Sequence, residues 1–156
     1  AVVLGVADRV DILGFVDEQT KHAELAAAWV ALAPSIKEGW GLSVVEAASH
    51  GTPTVAYTGA GGLSESIVHG RTGMLVDDID GLTAAVDHLL TDTAAREALG
   101  SAAIHHAADF TWARSVQAWE SLLADRAAGL PLEAGTDAVV PDEVRRNRAR
   151  GVSRRS

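Results

Sequence analysis

Between Trp29 and Tyr57 the chain passes from an apolar run through a glycine-bearing loop and a helical pattern into a second apolar run. Trp29-Val30-Ala31-Leu32-Ala33-Pro34 has the length and composition of a short buried strand closed by proline. Gly39 and Gly41 follow in a loop, and from Leu42 the residues Leu42, Val45, Ala48 and Ser49 recur at helical spacing. Gly51 stands where a left-handed residue ends a helix, Pro53 prevents its continuation, and Thr54-Val55-Ala56-Tyr57 reads as the next buried strand. Two strands joined through a helix make a parallel pair, so this stretch alone points to an α/β fold.

The loop between the first strand and the helix has a chemistry of its own. Gly39 and Gly41 let backbone approach a ligand closely. The free N–H groups of the first helical turn, at the positive end of the helix dipole, form a site for an anion such as phosphate. Ser43, inside that turn, adds a hydroxyl or serves as a local cap. Two carboxylates flank the site, Glu38 in the loop and Glu46 on the second turn. Their backbones lie roughly 12 Å or more apart by rise per residue. That is wider than the ~5 to 9.5 Å carboxylate pair of a glycosidase. The arrangement suits a ligand with hydroxyls at both ends and a pyrophosphate between them, which is the shape of a nucleotide-sugar.

Alternation of strand and helix continues on both sides. Val2 to Ala7 reads as the last turns of a helix, and Val10-Asp11-Ile12-Leu13 as an alternating strand ending at Gly14. A helix is expected from Asp17, its N-cap, to about Ala28. Thr58-Gly59-Ala60-Gly61-Gly62 is a second glycine-rich loop at a strand's carboxyl end, the edge where open α/β sheets bind ligands. Its glycines allow either close approach to a ligand or a plain turn. Ser64 to His69 reads as a short helix in which Glu65 supplies an N-terminal charge, and Gly70-Arg71-Thr72-Gly73 turns into strand Met74-Leu75-Val76. Helices are expected over 80–90, 92–108 and 112–128, capped by Asp80, Asp92 and Thr111. The last carries Trp112, Val116, Trp119, Leu122 and Leu123 on roughly one face, a stripe that calls for a partner surface.

The ordered set of motifs resembles the retaining nucleotide-sugar glycosyltransferases of family 4, whose Glu-x7-Glu signature stands here as Glu38 to Glu46. Gly14-Phe15-Val16, Ala33-Pro34-Ser35, Glu46-Ala47-Ala48, Gly51-Thr52-Pro53, Gly61-Gly62-Leu63-Ser64-Glu65 and Gly70-Arg71-Thr72-Gly73 carry the likeness, which runs from about Val10 to Leu123. It implies the GT-B fold, with this chain an incomplete C-terminal half: a Rossmann-like parallel sheet with helices on both faces over 1–128. An acceptor-binding N-terminal domain and an Arg/Lys diphosphate clamp are expected to precede it and are missing from the chain, which is therefore expected to be inactive alone. The implied activity is transfer of a hexosyl group from an NDP-sugar to an acceptor hydroxyl, with no cofactor and no metal. Glu38 is the implied catalytic residue, holding sugar hydroxyls. Gly39, Trp40, Gly41, Leu42 and Ser43 would meet the pyrophosphate and sugar through backbone, and Glu46 the ribose. Val16 and Lys21 would lie on the two faces of the base, or else be core and solvated. Trp40 either walls the donor pocket or plugs the core beneath it; Lys37 either approaches the phosphates or faces water. His22 receives no role. The alternative is a non-catalytic module that binds a nucleoside diphosphate or a partner subunit.

Composition limits the remaining classes. Of 156 residues 47% are apolar and 22% charged, enough for a buried core. With no cysteine, thiolate metal sites and disulfides are excluded. No signal peptide or membrane-spanning run is read at the sequence level, so a cytoplasmic location is expected. From Gly129 the apolar period dissolves into a tail, 129–156, read as disordered, that holds Arg145, Arg146, Arg148, Arg150, Arg154 and Arg155. The net charge of −8 divides into +4 over residues 141–156 and −12 over the other 140, an acidic body that argues against nucleic-acid binding. The tail is either simply solvated or a weak peripheral contact for the inner face of an anionic membrane.

Overall fold

The computed structural model describes residues 3–129. Three strands, β1 (Ala31–Ala33), β2 (Thr54–Tyr57) and β3 (Gly73–Val76), form a parallel sheet in the order β1-β2-β3. Leu32 pairs with Val55, and Val55 with Met74. Six helices accompany them: α1 (Glu18–Ala27), α2 (Leu42–Ser49), α3 (Leu63–Ser66), α4 (Ile79–Thr91), α5 (Thr93–Ala107) and α6 (Trp112–Ala127). Crossovers through α2 and α3 keep successive strands parallel, as the alternation in the sequence requires.

Period-two alternation along β2 divides the interior. Val55 points into a cluster with Leu82, Ala85, Leu89 and Leu99 from α4 and α5. Ala56 points the other way, into Val44, Leu63, Ile67 and Leu75. Helices thus cover both faces, and a small-residue contact among Ala48, Ala103 and Ala107 ties α2 to α5. Asp17, Asp92 and Thr111 cap their helices as expected, accepting from the N–H groups of Thr20, Ala95 and Arg114 at 2.7, 2.9 and 3.3 Å.

Several expectations are corrected. Residues 10–13 form no strand: Val10 is extended, but nothing among the described residues pairs with the segment, and Ile12 is 90% exposed. Alternation sets a backbone conformation, whereas a strand also needs a partner edge. The expected N-terminal helix is instead a turn followed by a 3₁₀ turn at Ala7–Arg9. β1 is shorter than its apolar run and, among the described residues, is an edge strand with one neighbour; Leu32 is 51% exposed. The buried face of α2 is Val44, Ala47 and Ala48; Leu42, at the first helical position, is 70% exposed. α4 begins one residue earlier than read and its cap two residues earlier, because Asp78 rather than Asp80 accepts the Gly81 N–H at 2.8 Å. The stripe of α6 is no correction: it calls for a partner surface, and α6 buries no residue, with Trp112, Val116, Trp119 and Leu123 exposed. Among the described residues no helix is long and apolar enough to cross a membrane. The arginine tail and its suggested membrane contact lie outside the described residues.

The two-sided core generates a contrast in stability. Leu89, fully buried against β2, is expected to cost about 2–5 kcal/mol on truncation to alanine, through lost burial and a residual cavity. Leu123→Ala on exposed α6 is expected to cost less than about 1 kcal/mol. Urea unfolding of the two variants measures the difference.

Candidate functional site

β1 and β2 run side by side and open at their carboxyl ends into two loops, 34–41 and 58–62. The loops are joined by backbone. Glu38 N–H donates to the Ala60 carbonyl at 2.8 Å, Gly62 N–H donates to the Glu38 carbonyl at 3.4 Å, and Glu38 and Gly61 make a parallel bridge. The approach is so close that a Cβ on Gly62 would lie 1.7 Å from the Gly39 carbonyl oxygen. The second glycine loop therefore does something that neither of its sequence readings named: two of its glycines, Gly61 and Gly62, make room for the first loop.

Held in this way, the first loop turns into α2 through Gly41, which is left-handed at φ 77° and takes no side-chain capping bond. Its carbonyl accepts the Val44 N–H at 3.0 Å, and its missing Cβ leaves space for Leu63. Leu42 and Ser43 are exposed at this helix start. Gly39 has open space where a Cβ would stand. The Trp40 ring meets Phe110 edge-on at 4.6 Å between centroids, and Phe110 in turn meets His106 at 4.9 Å. Lys37 faces water.

The two carboxylates are held differently. Half-buried Glu38 accepts the Ser35 hydroxyl on Oε2 and the Gly39 N–H on Oε1, each at 3.2 Å. Glu46 accepts the Lys21 ammonium on Oε1 at 2.9 Å. The same ammonium pairs with Glu18 at 2.8 Å. The hydrogen bond that Lys21 donates to Glu18, then the one it donates to Glu46, raises the Lys21 pKa above its ordinary value. The Lys21 hydrogen bond in turn lowers that of Glu18, and the Thr20 backbone N–H lowers that of Asp17. Val16 is half-buried just ahead of α1. Sequence reasoning placed Lys21 and Glu46 in one site but missed their direct contact, since 25 residues separate them and no spacing rule links α1 to α2. It also gave His22 no partner, whereas His22 Nδ1 lies 2.8 Å from His50 Nε2.

Away from this edge, a depression of about 390 Å³ lies at the amino end of β3, lined by His69, Arg71, His88, Met74 and Leu99 among others. His69 Nδ1 there accepts the Leu75 N–H at 2.9 Å. Among the described residues no three His, Asp or Glu side chains are grouped to hold a metal ion.

Comparison with known proteins bears on this geometry. The family profile described as "Glycosyl transferases group 1" matches residues 1–92. A D-inositol 3-phosphate glycosyltransferase from Corynebacterium diphtheriae is 40% identical over 126 residues, which is 80% of this chain and 29% of that protein. The chain thus spans less than a third of the length of this relative. Among solved structures, sucrose-phosphate synthase from Thermosynechococcus elongatus superposes with a TM-score of 0.71 at 30% identity, covering 79% of this chain and 32% of that one. Anabaena HepE in complex with UDP and glucose superposes at 0.69 with 28% identity, covering 79% and 34%.

Two outcomes follow from the site as built. Gly62→Ala must push the loops apart and is expected to cost more than about 2 kcal/mol, while Gly39→Ala, with open space beside it, stays within about 1 kcal/mol. Chemical denaturation compares them. The lowered pKa values of Asp17 and Glu18 mean that the stability they lend α1 is full above the ordinary carboxylate range. It is lost as pH falls through their lowered values. On acidification below about pH 4, NMR shifts of α1 are expected to lose helical character before those of α4.

Proposed function

Because this chain belongs to the group 1 glycosyltransferases, a family of transferases, we propose that the loop and helix start between Glu38 and Glu46 hold a nucleotide-sugar donor. The observation that carries this reading is the placement of an uncapped helix N-terminus between two carboxylates, on a loop anchored by backbone at the carboxyl edge of a parallel sheet. In this reading the N–H groups from Trp40 to Ser43 receive the pyrophosphate. Its charge is met by those amides and the helix dipole rather than by a metal. Glu38, oriented by Ser35 and the Gly39 N–H, receives hydroxyls of the sugar. Glu46 receives the ribose hydroxyls, and Val16 and the aliphatic stem of Lys21 flank the base. The likeness to HepE, solved with UDP and glucose, supports a donor of this class.

The reaction in which this site takes part is transfer of a hexosyl group, with retention at the anomeric carbon, to an acceptor hydroxyl supplied elsewhere in the parent protein. The contribution of these residues is orientation, and stabilisation of charge as the nucleoside diphosphate leaves. The Corynebacterium relative's name fits an acceptor bearing such a hydroxyl.

Calorimetry with UDP, GDP and ADP tests the assignment. Glu46→Gln is expected to weaken the preferred nucleotide by about 1.5–3 kcal/mol, the worth of a charge-assisted hydrogen bond. Glu38→Gln is expected to leave the nucleotide alone and weaken only the sugar-bearing donor. Equal affinities of wild type and Glu46→Gln for every nucleotide would remove Glu46 from the ribose.

A further inference from the structure

We infer that Lys21 is a positioning residue for nucleotide selection: its ammonium, tethered by Glu18, holds the Glu46 carboxylate in the orientation that distinguishes a ribose from a deoxyribose. This rests on the assignment of Glu46 to the ribose. A glutamate carries several rotatable bonds, and an exposed one samples many orientations at an entropic cost to any ligand that needs a single one. Glu46 is only partly covered, with 36% of its side chain accessible, and sits on the rim of α2. Lys21 approaches from a different helix and engages Oε1 at 2.9 Å. A carboxylate has about four lone-pair positions, so Oε2 and the second lone pair of Oε1 remain for a vicinal diol. Lys21 itself is fixed from behind, where both oxygens of Glu18 lie within 3.1 Å of its Nζ. The three groups form a line from α1 to α2 with the cation in the middle. Lys21 thus stays charged while it holds Glu46.

The same contact also helps to dock α1, which has no buried residue. The remaining links are polar: Thr52 Oγ1 donates to the Leu25 carbonyl at 2.6 Å, and His22 meets His50. A merely structural role for Lys21 would therefore act on α1 as a whole, and Thr52→Val provides the control that loosens α1 from its other end without touching Glu46.

The experiment is calorimetry of the 156-residue chain with whichever of UDP, GDP and ADP binds most tightly, alongside its 2′-deoxy counterpart. The quantity read is the ratio of deoxy to ribo dissociation constants. Lys21→Met is expected to lower that ratio at least about threefold, Lys21→Arg to keep it, and Thr52→Val to leave it unchanged. In a Glu46→Gln background, Lys21→Met is expected to change the ratio no further. A ratio unmoved by Lys21→Met, or moved as much by Thr52→Val, overturns the inference. A ratio unmoved by Glu46→Gln alone overturns instead the ribose assignment beneath it, and the two failures are thereby told apart.

Discussion

The backbone contact between the loops after β1 and β2 is the constraint on which the site depends. A loop that leaves an edge strand is held on one side only, and this one must present a helix start with fixed geometry. Pairing Glu38 with Ala60 and Gly62 extends the sheet's hydrogen bonding beyond the last residues of β1 and β2. Two features elsewhere in the chain then acquire their reason. Gly61 and Gly62 are required by the carbonyls of Glu38 and Gly39, and Leu63 locks the arrangement by filling the space beside Gly41. The position of α2 is further held by Val44 in the core beneath the sheet and by Ala48 against α5.

The two carboxylates that flank the start of α2 are restrained by different means. Glu38 is restrained by its neighbours, a serine three residues back and the next N–H along the chain. Glu46 is restrained by a cation from another helix. The first solution is local and survives small shifts of α1; the second depends on α1 remaining in place. On the proposed assignment, the sugar end and the nucleotide end of the donor would be governed by separate parts of the molecule.

What was legible in the sequence was what acts locally. The capping carboxylates Asp17 and Asp92 and the strand Thr54–Tyr57 are fixed by side chains within a few residues, and each is found as read. The expectations that failed concern relations between segments. Residues 10–13 have the alternation of a strand and no partner for it, and Leu42 fits the helical period of α2 yet faces outward because Gly41 sets the start of the turn. Asp78 displaced Asp80 as the cap because either spacing satisfies the pattern, and only the approach of the chain decides. Within the site, the types and order of residues were readable, whereas the Lys21–Glu46 pair and the role of Gly62 belong to tertiary contact.

The open side of β1 has a consequence for association between copies of the chain. Ala31–Ala33 pairs with β2 along one edge, and among the described residues no strand pairs with its other edge, where Leu32 stands half out of the fold. Neither a proline within those three residues nor a charged side chain guards that edge. Such an edge can accept an added strand, but three residues offer few backbone bonds, so the shortness of β1 is itself what limits pairing with another copy.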